Sequence, residues 1–247
     1  MPRIYPVLTL LLAIVINFLA NFLPIGGRTT GEVSDSYPTF FTPAGFTFSI
    51  WGLIYFLLLT YVIYQFLAKR TTDPTLIDKI NRYFVINSLA NTLWILAWHF
   101  ELITISLILM GVILYTVISI YRRIYKYGIF RFRDKLFIRL PFSVYLGWIT
   151  VATLANLSVE QTVIGMDNWF LTRTVWVFVE LGLAGAIAVV MIIRYRDPIF
   201  AGVIAWAAYG ISQKQTAVPE VAGAAAAVMI LVLVVLVVEG IRKVVWS

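Results

Sequence analysis

Residues 102–121 read LITISLILMGVILYTVISIY, and residues 122–139, which follow directly, read RRIYKYGIFRFRDKLFIR. The first stretch is uncharged and long enough for a helix to cross the roughly 30 Å hydrocarbon core of a bilayer. The second holds seven Lys and Arg. An apolar span closed by a basic block is what the positive-inside effect produces. The same alternation runs through the rest of the chain.

Seven further apolar stretches are predicted as spans: Tyr5–Leu23, Gly45–Ala68, Tyr83–His99, Leu140–Leu157, Thr174–Ile193, Pro198–Ser212 and Pro219–Val238. Arg3 gives the first a basic start like a signal peptide. Asn17 and Asn21 interrupt it and no small-x-small cleavage site follows, so it reads as a membrane helix. Sixteen of the nineteen Lys and Arg fall at the N-terminus, in every second loop, or at the C-terminus, and Arg28, Arg173 and Lys214 lie on the other side. An even number of spans with this bias predicts an integral, multi-pass protein of the cytoplasmic or an equivalent membrane, with both termini on the cytoplasmic side. The polar loop Pro24–Thr42 and an acidic loop carrying Glu160 and Asp167 fall opposite.

Composition agrees. The chain is 61% apolar and 13% charged, against about 45–50% and 25% in soluble domains. Continuous apolar runs exclude an outer-membrane barrel, whose strands alternate. The expected class is therefore an all-α polytopic transmembrane bundle of about eight spans. The net charge of +7 lies beside helix ends, where it suits anionic lipid headgroups, and no nucleic-acid partner is expected. The chain has no Cys, and no metal cluster, phosphate loop or catalytic triad is recognisable. An enzyme is the least supported reading, and no catalytic or metal-binding residue is assigned.

Chemistry must come from polar and aromatic residues inside the spans. Asn87, Asn91, Trp94 and Trp98 fall on one helical face, as do Tyr145, Trp148, Ala152 and Asn156, and as do Phe48, Trp51 and Tyr55. A rise of about 1.5 Å per residue puts Trp51, Trp94 and Asn156 in the non-cytoplasmic half. A pocket there would open toward the first loop, with Tyr37, Phe40 and Phe41 as a lid. Buried Asn can equally serve as a cross-helix bond, worth about 0.6–2 kcal/mol. Trp98, Trp169, Trp176 and Trp246 lie near predicted interfaces and are assigned to the aromatic belt. Glu180 is an acid well inside a span and a candidate proton or substrate site. His99, the one His, reads as a polar helix end rather than an axial haem ligand.

The stretch Pro43-Ala44-Gly45-Phe46-Thr47-Phe48-Ser49-Ile50-Trp51-Gly52-Leu53-Ile54-Tyr55 resembles the opening of the second helix in the tryptophan-rich sensory protein family, also called the translocator protein family. Asn91-Thr92-Leu93-Trp94 is similar to its third-helix Asn-x-x-Trp, and Trp148, Ala152 and Asn156 match its fifth-helix spacing. Pro43 stands where the family carries paired prolines. The likeness covers about residues 1–158, a five-helix core, with residues 159–247 forming three additional helices as in a longer branch of the family.

The resemblance implies an intramembrane pocket for a hydrophobic planar ligand, a porphyrin or sterol-like molecule, lined by Trp51, Asn91, Trp94, Trp148, Ala152 and Asn156. The stripes add Tyr55, Asn87 and Tyr145. A bound tetrapyrrole or lipid is the expected non-obligatory cofactor. Expected partners are membrane lipids, a hydrophobic small molecule, and a second copy or another membrane subunit. The alternatives are a secondary transporter or permease of a small hydrophobic molecule, in which Glu180 works, and an accessory subunit of a membrane complex.

Overall fold

A computed structural model describes residues 1–23, 25–67, 73–128, 131–166, 169 and 171–245, with side chains to 242. The expectations placed on Pro24, Ala68–Arg70, Asp167 and Trp246 fall outside the described residues. Among the described residues there are eight long helices and no strand: α1 Ile4–Phe22, α2 Ile50–Leu67, α3 Pro74–His99, α4 Ile103–Tyr127, α5 Leu140–Val163, α6 Arg173–Ile193, α7 Pro198–Lys214 and α8 Pro219–Val245. In hydrocarbon each backbone amide needs a partner within its own segment, and helices supply it.

Six of these helices are long and apolar enough to cross a membrane: α1, α2 with its 3₁₀ entry from Gly45, α4, α5, α6 and α8. The other two are the third and seventh expected spans. α3 carries Asp78, Lys79 and Arg82 near its start and two asparagines further on, which lowers its mean hydropathy. α7 has only 17 residues.

Several boundaries differ from the sequence reading. The basic loop before the third span is largely helix, because Asp73 caps α3 by accepting from Thr75 N at 2.8 Å and Pro74 occupies its first turn. Glu160 is no loop residue either: α5 continues through it to Val163, and the residue is buried. The long polar loop contains a helix, Thr30–Asp35, held by a capping box. Glu32 Oε2 accepts from Thr29 N at 2.6 Å, and Thr29 Oγ1 accepts from Glu32 N at 3.3 Å.

The chain forms two compact units. The first is Met1–Ser36 with Ile50–Ile149, and the second is Tyr37–Ser49 with Thr150–Ser247. In the first unit α3 packs against α1 and α4, and α2 lies against α1. Tyr61, Phe84 and Phe142 from α2, α3 and α5 form a buried triad with ring centroids 5.0–5.8 Å apart. Beside it Tyr61 Oη donates to Asn81 Oδ1 at 2.7 Å, and Asn81 Nδ2 donates to Gln65 Oε1 at 2.8 Å. Arg3 donates to the carbonyl of Gln65, which ties the start of α1 to the end of α2.

In the second unit α6, α7 and α8 pack against one another, with α7 and α8 as a hairpin. Lipid gives apolar side chains no drive to associate, so close approach of small residues matters. A Cβ at Gly185 would lie 3.3 Å from Val228 Cγ1. A Cβ at Gly210 would overlap Thr47 Oγ1 and lie 3.1 Å from Pro43 Cβ, so glycine lets the Gly45–Ser49 turn sit on α7. Ala44 N donates to Gly210 O at 3.0 Å, and Trp206 Nε1 donates to Thr47 O at 3.2 Å.

The Glu32 capping box titrates. Thr29's backbone and side-chain hydrogen bonds favour the ionised carboxyl and hold Glu32 below its ordinary range. A lowered pKa in the folded state means the cap's contribution is complete above the usual carboxylate range and is lost as pH falls through the lowered value. Carboxyl-carbon NMR should give Glu32 a midpoint below about 4.3. Thr29→Ala should raise that midpoint part of the way, because the Thr29 N–H bond remains.

Candidate aromatic and amide site

The site is built on α3. Asn87 and Asn91, one turn apart and 1% and 2% exposed, tie that helix to the four others of the first unit. Asn91 Oδ1 accepts from Asn17 Nδ2 of α1 at 3.0 Å and from Tyr55 Oη of α2 at 3.1 Å. Asn87 Nδ2 donates to Ile113 O at 3.0 Å and Thr116 Oγ1 at 2.8 Å on α4. Its Oδ1 accepts from Tyr145 Oη of α5 at 2.8 Å. Both donor hydrogens of Asn87 are therefore committed to the fold.

An indole and phenol cluster lies around these amides. Trp51 stacks on Tyr55 at 5.5 Å with 21° between planes. It packs against Trp94 at 5.9 Å, and meets Tyr145 at 6.4 Å and Trp148 at 6.3 Å edge to face. These separations are those at which aromatic pairs contribute about 0.5–1.5 kcal/mol each. Trp94, Tyr145 and Trp148 are buried, whereas Trp51 and Tyr55 are partly exposed. The cluster thus has a buried wall and one accessible aromatic pair.

Two donors at this site are not spent. Asn91 Nδ2 lies near the Tyr145 hydroxyl but closes no hydrogen bond, and Trp94 Nε1 closes none either. Both are buried, three residues apart on α3. A buried donor without an acceptor costs about 1–3 kcal/mol.

Seven of the nine expected ligand residues, namely Trp51, Tyr55, Asn87, Asn91, Trp94, Tyr145 and Trp148, come together in the first unit. Ala152 and Asn156 continue along α5 in the second unit, Ala152 partly exposed and Asn156 buried. The expected lid residues also belong to the second unit. Phe41 is 1% exposed there, while Tyr37 and Phe40 are partly exposed. Glu180 is buried on α6 of that unit.

Trp98 is not a belt residue. It is 5% exposed, stacks on Trp94 at 6.2 Å and donates Nε1 to Thr30 O at 3.2 Å. Proximity to a helix end does not distinguish lipid from protein as the neighbour, and here the Thr30–Asp35 helix covers it. That end of α3 is fixed further by the ion pair between Arg28 and Glu101. His99 is buried, with Nδ1 2.8 Å from Ile95 O. Trp169 is 77% exposed. Sequence reasoning missed Asn17, the bridge from α1. Its signal is a polar residue recurring at i, i+4 with Asn21 in an otherwise apolar span.

Asn91→Ala removes the acceptor of the buried Asn17 amide and of the Tyr55 hydroxyl. It should lower thermal stability in detergent by about 1–3 kcal/mol. Leu93→Ala, at a 54% exposed position on the same helix, should change it by less than about 0.5 kcal/mol. Equal shifts in a melting assay would contradict the role given to Asn91.

The family model described as TSPO-like protein matches residues 3–238. That match runs through α6, α7 and most of α8, so the three helices expected as additions lie within it. Among curated proteins and among solved structures, nothing matches the chain. With six helices among the described residues able to cross a bilayer and a match over nearly its whole length, the chain belongs to the TSPO-like family and is an integral, multi-pass membrane protein.

Proposed function

We propose that the protein binds a hydrophobic planar ligand, a tetrapyrrole or a sterol-like molecule, against the Trp51–Tyr55 pair. The observation that carries this reading is the pairing of an accessible aromatic face with two unspent buried donors. Trp51 and Tyr55 are stacked and partly exposed. Asn91 Nδ2 and Trp94 Nε1 close no hydrogen bond with a described residue. Small-molecule sites commonly combine apolar and aromatic walls with a few polar groups that fix orientation. A flat macrocycle would stack on the indole, and an acceptor at its edge would take one or both donors. Asn87 would act through Tyr145, whose hydroxyl it holds.

The membrane orientation follows from charge. Sixteen of nineteen basic residues on one side favour a topology with both termini cytoplasmic. The block from Arg122 to Arg139 would then face anionic headgroups, which attract each basic residue by about 1 kcal/mol. Within that block Arg123 donates to Tyr83 Oη at 3.0 Å and lies 4.1 Å over its ring, so one cation is held along the helix surface.

Fluorescence titration of the detergent-solubilised protein with a porphyrin tests the ligand reading. Wild type should show saturable Trp quenching. The Trp51→Ala, Trp94→Ala double variant should bind about 5- to 150-fold more weakly, since two lost aromatic contacts amount to about 1–3 kcal/mol. Equal affinity in the two proteins would rule out this face as the site.

A further inference from the structure

The second unit holds an ionisable group that the aromatic site does not use. Glu180 lies about two turns into α6, counted at 3.6 residues per turn. It is 3% exposed, and neither carboxyl oxygen closes a hydrogen bond with a described residue. Its neighbours along the helix, Val177, Leu181 and Ala184, are buried and apolar. The Ser158 hydroxyl of α5 is the polar group beside it.

No described cation pairs with Glu180. The charged residues of the helices around it stand mostly at their ends. Arg173 is the first residue of α6, Lys214 the last of α7 and Glu220 the second of α8, while Glu239 and Arg242 lie in the last turns of α8. Glu160 lies near the end of α5, half a turn beyond Ser158. An unpaired carboxylate within a membrane span is costly, and such residues mark ion or proton sites more often than structural ones. Binding a proton removes the charge and supplies an O–H donor.

We propose that Glu180 is an intramembrane proton-binding site, carrying a proton in the resting protein, with the Ser158 hydroxyl beside it. The assignment is independent of ligand binding at Trp51. An exchangeable proton held within hydrocarbon is the element that a proton-coupled carrier needs, so it also gives the transport alternative a specific residue.

The test uses the full chain in phosphatidylcholine liposomes. Dicyclohexylcarbodiimide enters the bilayer and adds to protonated carboxyl groups, leaving a stable N-acylurea that peptide mass analysis locates. Wild type should carry the adduct at Glu180, at least about tenfold more than with a water-soluble carbodiimide, because the group lies away from water. The water-soluble reagent should label the exposed Glu32 and Glu101 instead. In parallel, the infrared band of a protonated carboxyl should be present in wild type at neutral pH and lost in Glu180→Gln. Absence of the adduct in wild type would overturn the proposal, as would equal labelling of Glu180 and Glu101 by the water-soluble reagent. So would an infrared spectrum without that band in wild type, which needs no variant to fold.

Discussion

A polar side chain in hydrocarbon has no water to fall back on, and the first unit is organised by that constraint. Asn87 and Asn91 are single-turn neighbours on α3, yet their bonds reach α1, α2, α4 and α5. Lipid tails are as apolar as leucine, so burying an apolar side chain gives helices no drive to associate, and close packing and interhelical hydrogen bonds set their arrangement. A buried amide favours one arrangement, since each misplacement leaves a donor or acceptor unpaired. Fixing those helices also fixes Trp51, Tyr55, Trp94, Tyr145 and Trp148, which sit within a turn or two of the bonded groups. The aromatic cluster is thus a by-product of the bonds that hold the bundle, except for the donors of Asn91 and Trp94, which close no hydrogen bond with a described residue.

The second unit achieves closeness by other means. Its contacts rest on missing side chains at Gly185 and Gly210, on buried alanines along α7, and on the Trp206 bond that holds the Gly45–Ser49 turn. Asp197 caps α7 with Oδ1, accepting from Ile199 N and Phe200 N at 3.1 Å each, which starts the short helix sharply after the α6 turn. Among these contacts Glu180 is buried, and neither of its carboxyl oxygens closes a hydrogen bond with a described residue. Among the described residues, the buried amides of the first unit largely bond helices together, while the Glu180 carboxyl of α6 closes no hydrogen bond.

Much of this was legible in the sequence because two signals are strong in membranes. Apolar length and basic flanks located every long helix, and the i, i+4 stripes identified most of the aromatic and amide cluster. What escaped depends on partners distant in the chain. Asn17 meets Asn91 across 74 positions, so its i, i+4 spacing with Asn21 marks a polar face but does not name the partner. Trp98 was misread because depth says nothing about whether lipid or protein lies beside an indole. Helix starts were misplaced where a local cap outweighs hydropathy: Asp73-Pro74 begins α3 among charged residues, and Thr29-x-x-Glu32 writes a capping box into what looked like an open loop.

Whether the Trp51 face receives a flat ligand is tested most directly by visible circular dichroism of a tetrapyrrole added to the protein in lipid nanodiscs. An achiral macrocycle has no signal alone and acquires one when held against an asymmetric wall. Docking on Trp51 and Tyr55 predicts an induced band that saturates at one equivalent and disappears in Trp51→Ala. A band that persists undiminished in Trp51→Ala, or the absence of any saturable band in wild type, would contradict it.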